Sequence, residues 1–147
     1  MEHLGTQHIN DCNGDYLDHL VPKFSNNFAE GIFNLGNATH ILLQLATFLG
    51  FSKIYLIGVD HNYGELPKLF DPGHIEVSPD NYEIIKKCHF NSNYYKLGDK
   101  IGVPDVKFET LGYSTIFKET KNTTSIFNAG QNSMLNVFPF VEYKSLF

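Results

Sequence analysis

The sequence predicts an α/β sandwich built on a mostly parallel sheet. Three patterns carry that reading: an apolar helical segment over 38–49, an aliphatic run over 53–59 only a few residues later, and a second helical segment over 105–120 leading to a short strand at 125–129. A helix joined by a tight turn to a strand without polar alternation is half of a βαβ unit. At 147 residues and 42% hydrophobic, the chain is expected to form one domain over 1–147 with a core of its own.

Residues 1–27 contain Asn10, Asn13, Gly14, Asn26 and Asn27 with little periodicity, so an irregular segment is expected, with a short helix near 15–21. In the next segment Ile41, Leu42, Leu45, Ala46 and Leu49 recur at helical spacing. Asn37 or Thr39 can cap its start and Gly50 its end, and a helix buried on most sides is expected. The run Lys53-Ile-Tyr-Leu-Ile-Gly-Val59 reads as an interior parallel strand covered on both faces. Residues 64–104 are polar, punctuated by Pro and Gly and rich in Tyr and His, and read as a long binding lid with one short helix at 81–87. The 105–120 helix starts at Pro104 and Asp105 and carries Val106, Leu111, Ile116 and Phe117 as its apolar positions. Residues 134–141 read as extended or turned, broken by Pro139.

Charge and composition exclude several classes. The net charge is -5, all 11 basic residues are lysines and no lysine run occurs, so broad nucleic-acid binding is not expected. Without arginine there is no guanidinium fork, and an anion must meet Lys, hydroxyls, His or backbone N–H groups. The apolar stretch over 41–51 is too short to span a bilayer and the first residues lack a basic leader, so a cytoplasmic protein without a membrane span is expected. Cys12 and Cys88 form no C-x-x-C pair, and His61, His74 and His89 are too widely spaced for a local metal motif. Phosphate-loop, nucleophile-elbow, HExxH and GxGxxG motifs are all missing.

Ligands of open α/β sheets bind beyond the carboxyl ends of the strands, which puts Asp60-His61-Asn62-Tyr63 at the mouth. There Asp60 can take a metal or sugar hydroxyls, and His61 and Tyr63 a phosphate; equally, Asp60 can cap the next turn and His61 can be an ordinary surface residue. Gly36, Asn37 and Thr39, at the start of the first long helix, present N–H groups suited to a phosphate or simply form its cap. In Cys88-His89-Phe90-Asn91-Ser92-Asn93-Tyr94-Tyr95 an imidazole sits among hydroxyls and amides, a setting for a general base or a phosphate ligand, and also what a solvent-facing loop looks like.

The stretch from Leu43 through Lys53-Ile-Tyr-Leu-Ile-Gly-Val-Asp-His61, with Cys88-His-Phe-Asn-Ser-Asn-Tyr94, Ile126-Phe-Asn-Ala129 and the segment from Leu135 to Phe147, resembles the carboxy-terminal half of the MptE-like family. That family joins archaeal 6-hydroxymethylpterin pyrophosphokinases with bacterial motility accessory factors and polysaccharide-locus proteins. More distantly, the helix-strand-Asp segment is similar to bacterial sialyltransferases that use CMP-activated sugars. The resemblance implies a Rossmann-like three-layer sandwich lacking the first nucleotide-loop half, since nothing in residues 1–25 matches the family's Gly-Pro-Ser-Leu loop. It implies a cytoplasmic glycosyltransferase-like protein of bacterial surface polysaccharide or flagellar glycan synthesis, with a nucleotide or nucleotide-activated sugar as partner. Gly36, Asn37 and Thr39 would orient a donor phosphate and Asp60 and Asn62 would hold hydroxyls. His89 would remove the acceptor proton, and Tyr94 or Tyr95 would support the leaving phosphate. The alternatives are a pterin pyrophosphokinase using Mg2+ at Asp60, and a non-catalytic binding or assembly domain. Because the sheet lacks its first-half strands, a homo-oligomer is expected.

Overall fold

The computed structural model describes residues 3–4 (main chain only), 22–29, 31–89 and 91–147. The expected helix near 15–21 and Cys12 lie outside the described residues. The chain is a mixed helix and strand protein made of two compact units, Met1–His61 with Lys107–Phe147, and Asn62–Val106.

Among the described residues the first unit contains two parallel strand pairs. β1 (His3–Leu4) pairs with β2 (Ile32–Phe33), and β3 (Lys53–Leu56) pairs with β6 (Ser125–Asn128) in the register Lys53 to Ser125 through Leu56 to Asn128. Between β2 and β3 runs α1 (Ala38–Phe48), and α4 (Val106–Thr120) leads into β6. The β3–α4–β6 path is thus a parallel crossover through a helix, as parallel pairing requires. Leu35, Leu43, Leu56, Tyr113, Ile116, Ile126, Leu135 and Phe138 form its core.

Local chemistry fixes both ends of α1. Asn37 is extended (φ -149°) and its Oδ1 accepts from the His40 N–H at 3.2 Å. At the other end Gly50 takes φ +83°, Gly50 N donates to Thr47 O at 3.0 Å and Phe51 N to Ala46 O at 3.2 Å, a Schellman closure. The buried face of the helix is His40, Leu43 and Gln44, narrower than expected: Leu42 and Leu49 are exposed. Gln44, which looks like an interruption in the apolar pattern, is fully buried. Its Nε2 donates to Phe33 O (2.7 Å) and His40 O (3.1 Å), while its Oε1 accepts from Ser25 N (3.1 Å) and Phe33 N (3.3 Å). One amide side chain serves both backbone groups of a β2 residue, as a neighbouring strand would.

Two further expectations are corrected. The 53–59 run does not form a strand covered on both faces. β3 ends at Leu56, its exposure alternates, and Tyr55 stacks on Phe127 across the pair (5.4 Å, 20°) on the open face, with Ile57 exposed beyond the strand end. In α4 the buried residues are Phe108, Glu109, Gly112, Tyr113, Ile116 and Thr120, whereas Leu111 and Phe117 face outward. The helix is turned so that Gly112 lies against Leu35 and His40, where a Cβ would stand 2.9 Å from Leu35 Cβ.

The second unit holds the region read as a lid, and it is a folded body rather than a long loop. β4 (Gly73–Glu76) pairs antiparallel with β5 (Lys100–Val103), and the ladder continues through Val77 N to Asp99 O and Gly98 N to Val77 O, both 2.8 Å. α2 (Leu66–Leu69) and α3 (Tyr82–Ile85) complete it, the latter inside the expected 81–87. Leu66, Val77, Ile85 and Ile101 are its core, with Phe70, Ile75, Tyr82, Cys88 and Tyr95 packed around them.

Candidate functional site

Within the first unit, the turn before α1, the segment after β3 and the first half of α4 converge. Gly36 takes φ +107°, and a Cβ there would stand 3.0 Å from Glu109 Cγ, so only glycine lets the turn approach this side chain. The Tyr113 hydroxyl donates to Asn37 Oδ1 at 3.5 Å, tying the cap of α1 to α4. Thr39 is half-buried at the same turn.

The chain leaves β3 through a clamp from residues 128–135. Buried Asn128 donates through Nδ2 to Leu135 O (2.7 Å) and Ser133 Oγ (3.0 Å) and accepts from Gly130 N (3.0 Å). Ser133 Oγ donates to Val59 O at 2.7 Å, and Met134 N donates to Asp60 O at 2.8 Å. Held this way, His61 follows in the left-handed region at φ +50°, an uncommon conformation for a residue with a side chain. Its Nδ1 lies 3.6 Å from Glu109 Oε2 and its Nε2 2.9 Å from Thr110 Oγ1. Only 5% of the His61 side chain and 6% of the Glu109 side chain are exposed. The ring meets Tyr113 edge-on at 5.5 Å, and His40 packs on the same phenol at 4.0 Å.

These contacts set the protonation states. His40 Nε2 faces the Glu109 carbonyl at 3.1 Å, so the neutral ring carries its proton there. Burial lowers the His40 pKa from 6.5 to about 4, with nearby His61 pushing the same way against main-chain bonds to Glu109 and Leu35. His61 is also lowered, by burial, with the Glu109 carboxylate opposing. Burial raises the Tyr113 phenol, its bonds to Asn37 and Thr39 acting against that and the Glu109 charge adding to it.

The expected site residues therefore divide between the units. Gly36, Asn37, Thr39, Asp60 and His61 belong to the first, where Gly36, Asn37 and His61 share Glu109 and Tyr113; Asp60 is exposed. Asn62, Tyr63, His89, Tyr94 and Tyr95 belong to the second. There Asn62 Oδ1 accepts from Gly64 N at 3.1 Å, closing a turn, and His89 lies flat on Tyr94 (3.9 Å, 16°) with Tyr95 edge-on at 5.6 Å. Asn91 N donates to His89 Nδ1 at 3.2 Å, which keeps the neutral ring's proton on Nε2 and makes that atom a donor. Burial, with Tyr94 and Cys88 adding to it, raises the Tyr95 phenol.

Sequence reasoning passed over Glu109, Thr110, Tyr113 and His40. The signal available was an acid inside a helical pattern, followed at i+4 by tyrosine with a glycine between them, since a helical glycine marks a close approach. Among the described residues no group of three or more His, Cys, Asp or Glu side chains is arranged to hold a metal ion. No helix among them is long and apolar enough to cross a membrane. Compared with protein-family models, curated proteins and solved structures, the chain matches none of the three.

Proposed function

We propose that the chain is a Rossmann-like α/β domain of a glycosyltransferase-like cytoplasmic protein, acting in bacterial surface polysaccharide or flagellar glycan synthesis and taking a nucleotide-activated sugar as donor. One observation supports it most: the turn before α1 and the carboxyl end of parallel strand β3 meet on the same two α4 residues, Glu109 and Tyr113. Open α/β sheets take their ligands at that end of the strands. In this reading the N–H groups of residues 37–39 orient a donor phosphate with the positive end of the α1 dipole behind them, while the Gly36 N–H donates to Asn34 Oδ1. Exposed Asp60 takes sugar hydroxyls. The resemblance to the MptE-like family supports the same assignment.

Thermal shift against CMP, CDP, UDP and ATP tests it. A ligand at 100 times its dissociation constant adds about 2.7 kcal/mol to stability. The reading expects a pyrimidine nucleotide to raise the melting temperature and Asn37→Ala to weaken that rise. No shift with any of the four at millimolar concentration overturns it.

A further inference from the structure

We infer that His61 and Glu109 form an acid–base dyad in which His61 Nε2 receives the proton of the acceptor hydroxyl. The inference rests on the glycosyltransferase reading and moves the base role expected of His89 to a residue in the first unit.

The geometry separates the two imidazoles. His89 Nδ1 accepts from a backbone N–H, which leaves Nε2–H as a donor and engages the ring's one lone pair with the main chain of its own loop. His61 has the opposite arrangement: Nδ1 faces the Glu109 carboxylate at 3.6 Å, which favours a proton on Nδ1 and leaves the Nε2 lone pair to accept from a hydroxyl. A hydroxyl is found there, Thr110 Oγ1 at 2.9 Å, and an acceptor hydroxyl would take its place on Nε2 at that distance. A ring that faces a carboxylate across 3.6 Å on one nitrogen and is bonded to a hydroxyl on the other approaches the arrangement by which a histidine activates an oxygen nucleophile. The left-handed backbone at His61, kept in place by the Asn128–Ser133 clamp, is strain stored at the point where the ring is aimed.

The step balances. The acceptor oxygen bonds to the anomeric carbon as the bond from that carbon to the donor phosphate breaks, the nucleotide leaves with the electron pair, and the hydroxyl proton passes to Nε2. The imidazolium so formed is stabilised by the Glu109 carboxylate. The other titratable groups facing His61 among the described residues are His40 from α1 and Tyr113 from α4. His40 is neutral near pH 7 and the Tyr113 phenol is pushed upward, so neither supplies a competing charge there.

The test uses the full chain, with CMP-N-acetylneuraminate and UDP-N-acetylglucosamine as donors and release of CMP or UDP as the readout. His61→Gln is expected to lower release about 10²–10⁴-fold while the thermal shift by the nucleotide persists. Glu109→Gln is expected to slow release at least tenfold and to move the acid limb of the pH profile to lower pH, because removing the carboxylate lowers the His61 pKa; a merely structural role would leave that limb in place. Nitrogen-15 NMR of the wild type, which needs no variant to fold, is expected to find His61 protonated on Nδ1 and bare on Nε2 at neutral pH. The opposite tautomer, an unmoved acid limb, or His61→Gln releasing nucleotide at the wild-type rate overturns the dyad and leaves the transferase reading standing. If no nucleotide shifts the melting temperature and neither donor is cleaved, the transferase reading fails and the dyad falls with it.

Discussion

Acid should destabilise this protein through His40, in a window set by its burial. In the native state the ring has no exposed surface and its pKa falls from 6.5 to about 4. The folded value is depressed, so the unfolded chain takes up a proton first. The neutral ring costs nothing above pH 6.5, and stability is lost progressively as the pH falls from about 6.5 to about 4. Each tenfold difference in proton affinity corresponds to about 1.4 kcal/mol, so the loss across this window is about 3 kcal/mol, a large part of the 5–15 kcal/mol typical of a domain. His61, lowered in the same direction, adds to it. Urea unfolding at several pH values between 7.5 and 4 measures the effect in the wild type and in His40→Gln, whose amide can still donate to the Glu109 carbonyl. Carboxylate protonation affects both proteins alike, so the gap between the two stability curves should change by about 3 kcal/mol toward acid. Parallel curves would refute the reasoning.

Three other variants test the packing. Gln44→Leu should cost about 2–4 kcal/mol in urea unfolding, since it strands Phe33 N and O and Ser25 N while keeping the volume. Gly112→Ala gains up to about 1 kcal/mol of helix propensity but drives a Cβ to 2.9 Å from Leu35 Cβ and 3.1 Å from the His40 ring, so calorimetry should find a net loss of about 1–2 kcal/mol. Leu56→Ala removes a side chain only 6% exposed, at the carboxyl end of β3 and within the core, and should cost about 2–5 kcal/mol, whereas Ile57→Ala, at 59% exposed, should fall within about 0.5 kcal/mol of wild type by the same measurement.

The parts of the fold legible in the sequence are those fixed by local chemistry. Asn37 and Gly50 punctuate α1 through their own hydrogen bonds and backbone freedom, and the structure ends the helix where those residues predict. The span of α4 and the position of β6 are similarly local. What tertiary contact decides was not legible. Leu111 and Phe117 look like core residues by hydropathy, yet α4 buries Glu109 and Gly112 because a histidine and a leucine from α1 and the turn before it press on that side. β4 and β5 are four-residue strands containing Gly73, His74 and Gly102, too short and too polar to leave an alternation, so a folded unit looked like a loop. In the candidate site, Asp60 and His61 were visible as a strand end. Their partners were not, because Thr110 lies 49 residues further along the chain.

Nucleotide contact at the turn before α1 can be observed most directly by titrating CMP into nitrogen-15-labelled protein and following the amide spectrum. The proposed site predicts saturable shifts centred on Gly36, Asn37, Thr39 and His61. Glu109→Gln should strengthen the response, because the Glu109 side chain packs against Gly36 and its negative charge opposes a phosphate there. Shifts that leave these four residues unmoved, or a Glu109→Gln variant that binds CMP more weakly than wild type, would contradict it.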